Sequence, residues 1–580
     1  MMQPLLIRAA ALANQPRLPQ LLTAAFWLLA LALGAAHTWA AVSSHSMNAD
    51  GIVYLDIGDA YMRGDWATAV NPVWSPLYSW LLGPVMAVFR PTMQWEFALV
   101  HLLNFAIFVL ALLCFSFFWR QLGRWREQTL SGDTLPLPAW AWVSLGYALF
   151  IWITLSLIAV WAVTPDMLMA ALVFVAAGLI VRLRLGATPR PTFLLLGLVL
   201  GLAYLAKAVM FPLAFLFLLV AWLTPARPRR SAPAAVGGLL LFLLISLPYV
   251  ALISRAQGHF TFGEAGTITY LRYVQGIPYP HWQGETAEFG QPHHPSRQVF
   301  ENPPLYEFGE PIGGTYPISH NPIYWYAGAE ASFDPAAQGR VLLASALFYF
   351  DLFGREQGAL LLGVLLLLLF SRLQLRSVTA VVQQWGLLLL ALAAFGLYAL
   401  VYVEGRYIGV FVLLFWADLL ATIRLPRFPL APRLLSGVSL LLLLFLLATT
   451  AAFNLAGYGR LSPTALPGTV AAQPPTWPGE VADHLHQLGV EPGEKVGVIG
   501  YAFESFWARL ARVQIVAELF EWQADPFWLG EPAFQEEVLA QFAAAGASAV
   551  VAEYVPAYAH LPGWHQVGSS NFYIYLLDEP

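Results

Sequence analysis

Residues 21–66 read LLTAAFWLLALALGAAHTWAAVSSHSMNADGIVYLDIGDAYMRGDW. The first part, 21–41, is predominantly apolar and matches the about 20 helical residues needed to cross roughly 30 Å of hydrocarbon. The second part carries four aspartates, Asp50, Asp56, Asp59 and Asp65, within a few helical turns. Such density is unusual in a 580-residue chain that is 59% hydrophobic and 11% charged, with a mean hydropathy of +0.63. A soluble domain carries about a quarter charged residues, so the composition predicts an integral membrane protein. The net charge of -5 and pI near 6.2 provide no basic stripe to track a phosphate backbone, which excludes nucleic acid as a partner. Cys114 is the single cysteine, so intramolecular disulfides are excluded.

About eleven segments have the apolar length of a crossing: residues 21–41, 97–119, 139–160, 167–185, 191–206, 210–224, 235–253, 358–370, 378–401, 407–423 and 434–454. Arginines cluster on alternate loops, at Arg8 and Arg17, Arg120 to Arg126, Arg182 to Arg190, Arg227 to Arg230, Arg372 and Arg376, and Arg424 to Arg433. With basic loops inside, the N-terminus is expected in the cytoplasm and the C-terminus outside it. The first span is too long for the apolar core of a cleaved signal peptide. Low lysine and high arginine fit a GC-rich bacterial genome, and the expected location is the bacterial inner membrane.

Domain organisation follows from the same pattern: a transmembrane domain over 1–458, with outer loops at about 43–96 and 254–340, and a tail over 459–580. Within the first loop, SPLYSWLLGPVMAVF is too short and too interrupted by Pro and Gly to span, and is read as an interfacial helix. Gly258–Ala336 is rich in Pro, Gly, His, Tyr and Trp with hardly any helical period; ordered loops of such length commonly serve as lids or binding loops. In the tail, EVADHLHQLG and EEVLAQFAAAG read as helices and KVGVIG, ASAVVAEY and NFYIYLL as strands, predicting a small extracytoplasmic α/β domain. The fold class is thus a polytopic α-helical membrane protein with a C-terminal α/β domain.

On a helix Asp50, Tyr54, Tyr61 and Asp65 fall near one face, while Asp59 and Arg63 stand four apart and can pair. Helix capping by Asn48 or Asp50 and a solvated acidic face are the alternatives to a functional reading. Each short outward turn also holds ionisable groups hard against an apolar span: Asp166 in WAVTPDML, Lys207 in AYLAKAVMFP, and Glu404 with Arg406 in YVEGRYIG. Charges at such depth are costly and mark sites, although Asp166 can cap its span and Glu404 can pair with Arg406. Lys207 is one of two lysines in the chain, the other being Lys495. Carboxylates suited to general base work, cations suited to a phosphate leaving group and aromatic rings suited to pyranose faces together match glycosyl transfer from a phospholipid-linked sugar.

NADGIVYLDIGDAYMRGDW followed by NPVWSPLYSWLLG, then VTPDML, then GLAYLAKAVMFP, then VEGRYIGVF resembles the GT-C superfamily of integral membrane glycosyltransferases. The branches most similar are the dolichyl-phosphate-mannose protein mannosyltransferases and the bacterial lipid A aminoarabinose transferases. The resemblance rests on the order and sidedness of short motifs over 20–425. It implies an inverting transferase with a polyprenyl-phosphate sugar as donor, a glycan, lipid or protein hydroxyl as acceptor, and membrane lipids as surroundings. Residue by residue it implies Asp50 as the base that deprotonates the acceptor and Asp166 as support for the acceptor or the site geometry. Lys207, with Arg406 as a second candidate, is implied as the cation toward the donor phosphate. Tyr54, Glu404 and Tyr407 stand beside these as substrate-binding candidates. The family often has two adjacent acids where this chain has Asp50 followed by Gly51, so no paired-acid metal site is implied, and no cofactor is expected.

His281, His293, His294 and His320 lack the spacing that puts two imidazoles on one helix face. Tyr316, Tyr324, Trp325 and Tyr326 are read as packing or lid residues. The tail's KVGVIGYAFESFW lacks G-x-G-x-x-G spacing, so the tail is read as a cap, an acceptor-recognition module or a partner contact. A transporter or lipid flippase is the rival reading; its charges would sit near the bilayer midplane on broken, symmetry-related helices. A non-catalytic assembly factor acting through its tail is a third.

Overall fold

The computed structural model describes residues 17–129, 132–225, 227–278, 281–283, 296–309, 312–371, 378–461 and 477–577. Arg8, His293, His294, Arg372 and Arg376 lie outside the described residues. By contact the chain divides into two units. One comprises the described residues up to Ala40 with His101–Phe262 and Gln338–Leu461; the other comprises Ala41–Val100, Gly263–Ala337 and the described residues after Leu461.

The first unit is helical, and the chain is a multi-pass membrane protein. Among the described residues eight helices, some of which begin or end in the other unit, are long and apolar enough to cross: Leu18–Ser43, Met93–Gln128, Ala139–Leu157, Asp166–Arg184, Pro189–Ala206, Pro228–Gln257, Gly405–Thr422 and Ala431–Leu455. Pro335–Glu356 and Gly358–Leu369 form a pair bent by 79° that makes a ninth if counted as one span. The sequence predicts about eleven segments; the described residues give eight, or nine with this pair, by length and composition. Two further apolar helices fall on remaining expected segments: Met210–Leu223, whose 14 residues at 1.5 Å rise reach about 21 Å against roughly 30 Å of hydrocarbon, and Gln384–Ala399, which lies within the 22-residue helix Val378–Ala399.

Helices Pro189–Ala206 and Pro228–Gln257 pack backbone to backbone at Gly197, where an added Cβ would lie 2.1 Å from the Gly238 carbonyl oxygen. Lipid tails give apolar side chains no reason to leave them, so close approach of small residues supplies the contact. The third span ends in a π-helical turn, Ile153–Leu157, shortly before the turn that leads to Asp166. A short antiparallel ladder, β1 (Thr134–Pro136) with β4 (Arg424–Pro426), ties two loops of this unit together.

The second unit contains a seven-stranded sheet. Two strands come from the long loop, β2 (Ser296–Phe300) and β3 (Leu305–Phe308). Five come from the tail: β5 (Lys495–Gly500), β6 (Gln514–Phe520), β7 (Ala549–Ala552), β8 (His565–Gln566) and β9 (Tyr573–Leu576). The order is β2-β3-β6-β5-β7-β9-β8. Only β5 is parallel to both its neighbours, β6 and β7; the remaining pairs are antiparallel. Nearly every residue of these three strands is buried, as a parallel strand covered on both faces requires. Helices Pro478–Gln487 and Phe506–Ala511 pack with one apolar cluster and helix Pro532–Ala544 with the other. The chain crosses from β5 to β6, then back over β5 to β7, so a topological switch point lies at the carboxyl ends of these strands.

The five expected tail elements are present, while β6 and the β2–β3 hairpin were not expected. The hairpin extends the tail sheet through β3 and β6. Tyr316, Tyr324 and Tyr326 are buried in the adjoining apolar cluster, which is the packing role. Tyr316 Oη donates to Glu518 Oε2 at 2.6 Å, and His281 Nε2 lies 2.9 Å from the same oxygen. Glu553, just past β7, accepts from Ser505 Oγ at 2.6 Å, Trp507 Nε1 at 2.8 Å and the Tyr501 N–H at 3.2 Å. Burial pushes its carboxyl up to about 7 against the pull of those hydrogen bonds.

Candidate functional site

In the membrane unit Asp166 opens helix Asp166–Arg184, directly after Pro165. Lys207 is the residue that closes helix Pro189–Ala206, in extended backbone conformation. A carboxylate at a helix start and an ammonium at a helix end both suit the macrodipole. The two form an ion pair, Lys207 Nζ with Asp166 Oδ1, in which the Asp166 side chain is almost fully buried. Lys207 Nζ also stands 3.8 Å from the centre of the Tyr407 ring. Arg406 Nε donates to Glu404 Oε1 at 2.9 Å, and the guanidinium lies 5.1 Å from the same ring. Tyr398 stacks on Tyr407 at 5.5 Å. Its hydroxyl is buried with no hydrogen-bond partner among the described residues.

Five of the expected residues, Asp166, Lys207, Glu404, Arg406 and Tyr407, thus come together around one ring. Glu404 and Arg406 form the pair that sequence offered as the alternative to function. A second buried pair stands at the other ends of two of these helices, where Arg184 Nη1 is 4.0 Å from Asp418 Oδ1 and the Leu388 N–H donates to Asp418 Oδ2 at 2.8 Å.

In the other unit the acidic stretch folds as helix Ala49–Arg63, with Asn48 at the cap position and Asp50 in the first turn. Asp65 is not on this helix: it begins the next one and accepts from the Thr68 N–H at 3.2 Å. Tyr54 is buried, edge-on to Trp74 at 5.4 Å and Tyr78 at 5.2 Å. Asp59 pairs with Arg509 Nη2 at 2.6 Å, where the sequence had suggested Arg63. Asp56 accepts from Arg509 Nη1 at 2.8 Å and from the Thr315 N–H at 2.7 Å. Glu96 takes Arg509 Nε at 2.8 Å and Arg512 Nη1 at 3.1 Å. Burial works against the Arg509 charge, but Glu96, Asp59 and Asp56 outweigh it and hold its pKa above the ordinary range. A cavity of about 280 Å³ borders this network, lined by Asp59, Met86, Arg90, Glu96, Arg509 and Arg512 among others.

Asp56, Asp59 and Asp65 therefore have structural duties. Sequence reasoning missed Arg509, Glu96 and Tyr398. Glu96 had a signal, an acid against the start of an apolar run like Asp166; Arg509, in FWARLARV, had none. Among the described residues no group of three or more His, Cys, Asp or Glu side chains is arranged to hold a metal ion.

No protein-family model matches the chain, and neither does any curated protein. Among solved structures it is similar to ArnT from Cupriavidus metallidurans in the apo state, at 14% identity and TM-score 0.46, over 95% of this chain and 98% of that one. ArnT bound to undecaprenyl phosphate gives 13% identity and TM-score 0.49 over 95% and 97%. The Archaeoglobus fulgidus oligosaccharyltransferase complex with Zn and sulfate gives 13% and 0.44 over 90% of this chain and 68% of that one.

Proposed function

We propose that this chain is an inverting glycosyltransferase that moves a sugar from a polyprenyl-phosphate-linked donor to a hydroxyl of an envelope acceptor at the outer face of the membrane. The Asp50 carboxylate takes the acceptor proton, the acceptor oxygen attacks the anomeric carbon, and the bond from that carbon to the phosphate oxygen breaks. The lipid phosphate departs with the electron pair, and Lys207, seconded by Arg406, balances its charge. Asp166 orients Lys207. The observation that carries this reading is the cluster of Lys207, Asp166, Arg406 and Tyr407 beside the Tyr398 hydroxyl, which is buried with no hydrogen-bond partner among the described residues. Asp50 is taken as the base from the resemblance of its stretch to the first-loop aspartate of the GT-C transferases.

The test is mass spectrometry of polyprenyl-phosphate sugars in cells lacking the protein, complemented with wild type or Asp50→Asn. One lipid-linked sugar is expected to accumulate without the protein and with Asp50→Asn, but not with wild type. Equal pools in all three strains would overturn the transferase; depletion by the Asp50→Asn variant at the wild-type rate would remove Asp50 from its role.

A further inference from the structure

Three parallel strands of the tail end together: β5 runs into Tyr501, β6 into Glu521 and Trp522, and β7 into Glu553 and Tyr554. These are the carboxyl ends at the switch point, where open α/β sheets bind ligands. Trp522 is 57% exposed and Tyr554 is 59% exposed. The indole is stacked flat on Phe520, with centres 4.4 Å apart and planes 14° from parallel, and lies 5.7 Å from Tyr501. One face of a large ring is thus backed by protein and the other is open. Tyr554 has φ 54°, a left-handed conformation that non-glycine residues rarely adopt; strain of that kind persists where the surroundings impose it and gathers at binding sites.

The polar groups around these rings are acceptors. Glu504 and Glu521 both act electrostatically on Tyr554. Glu521 Oε2 and Gln523 Oε1 are buried atoms with no hydrogen-bond partner among the described residues. An open indole face flanked by acceptors lacking donors fits a molecule with flat apolar faces and many hydroxyl donors. A pyranose has both, C–H faces that stack on a ring and hydroxyls that donate to carboxylate and amide oxygens. The acids disfavour an anionic bilayer surface or an acidic polysaccharide. The platform is open on one side, whereas a quaternary ammonium is held by a cage of rings.

We infer that the carboxyl edge of the tail sheet, with Trp522 as the stacking platform and Tyr501, Tyr554, Glu521 and Gln523 around it, is a binding site for a neutral oligosaccharide. It goes beyond the transfer reaction proposed above and does not rest on it, because binding is measured without turnover.

The test uses the full chain in a sugar-free detergent, titrated by calorimetry with mannohexaose, maltohexaose and cellohexaose. At least one is expected to bind with Kd of about 1 mM or tighter, a free energy near −4 kcal/mol. Trp522→Ala should weaken it about tenfold or more, the loss of one stacked ring, with the unfolding temperature unchanged. Glu521→Gln keeps an acceptor oxygen and should weaken it less. Absence of binding by all three sugars overturns the inference, as does equal binding by wild type and Trp522→Ala. Titration with tetramethylammonium in place of the sugars would redirect the site to a cation if that alone bound. Quenching of Trp522 by brominated phosphatidylcholine, read as the difference between wild type and Trp522→Phe, would assign the rings to the membrane instead.

Discussion

Arg509 and Lys207 are both cations held by carboxylates beside apolar segments, but their partners differ in number. Arg509 spends its fork on Glu96, Asp56 and Asp59, each within 2.8 Å. Among the described residues Lys207 is in direct contact with one carboxylate, Asp166, and with the face of Tyr407. A guanidinium is planar and donates along fixed directions, so three acids set around it lock the elements that carry them. An ammonium is a compact charge with three donors, and one partner leaves it able to meet another oxygen. The first arrangement holds the helix Ala49–Arg63 in the fold; the second is suited to a ligand that arrives and leaves.

On that contrast, Arg509→Met should produce the largest loss of stability. It leaves buried carboxylates without their counterion, which costs about 3–5 kcal/mol where such pairs are broken from one side. Thermal unfolding of the purified chain checks it, and an unchanged midpoint would break the comparison. Lys207→Met should act on turnover: with the lipid-linked sugar extracted from the null strain as donor, kcat/KM should fall about 100-fold, the scale of removing one charge-stabilising donor. Adding Asp166→Asn removes the orphaned acid and should restore folding without restoring turnover. Full recovery of turnover in that double variant would show that Lys207 serves only to neutralise Asp166.

A smaller effect separates the tail from both clusters. Glu553 is raised from 4.5 to about 7 by burial, so the folded chain holds a proton there that the unfolded chain gives up. Its contribution to stability is therefore full below pH 4.5 and lost as pH rises to about 7, on the order of 1–3 kcal/mol. His320, lowered by burial against the pull of Asp56, has the opposite sign. The difference in unfolding temperature between wild type and Glu553→Gln across that window isolates the glutamate, and parallel curves would refute it. The smallest effect belongs to Asp65→Ala, which removes a cap from the short helix Trp66–Ala69 and should cost about 1 kcal/mol, measured in the same unfolding assay.

Much of this was legible in the chain. The apolar runs, Asp166, Lys207 and the Glu404–Arg406 pair were readable because a charge against a membrane span stands out from its neighbours. The eight full-length spans were readable for the same reason, since hydrocarbon imposes one length and one polarity on every crossing. The aspartates of residues 47–66 were readable as a cluster but not as roles. Asp56 and Asp59 owe theirs to Arg509, some 450 positions away in sequence, and no local spacing encodes that partner. The outer loop's β2–β3 hairpin was hidden too, because it completes a sheet whose other strands lie in the tail, and a strand's pairing is decided by what lies beside it.

The sequence by itself determined the solvent this protein lives in, the positions of its helices and the residues that carry charge into an apolar setting, because hydropathy and spacing are local quantities. Only the tertiary structure decided which of those charges are spent on folding. That choice depends on distances between residues far apart in the chain, and it is made when Arg509 takes Asp56, Asp59 and Glu96.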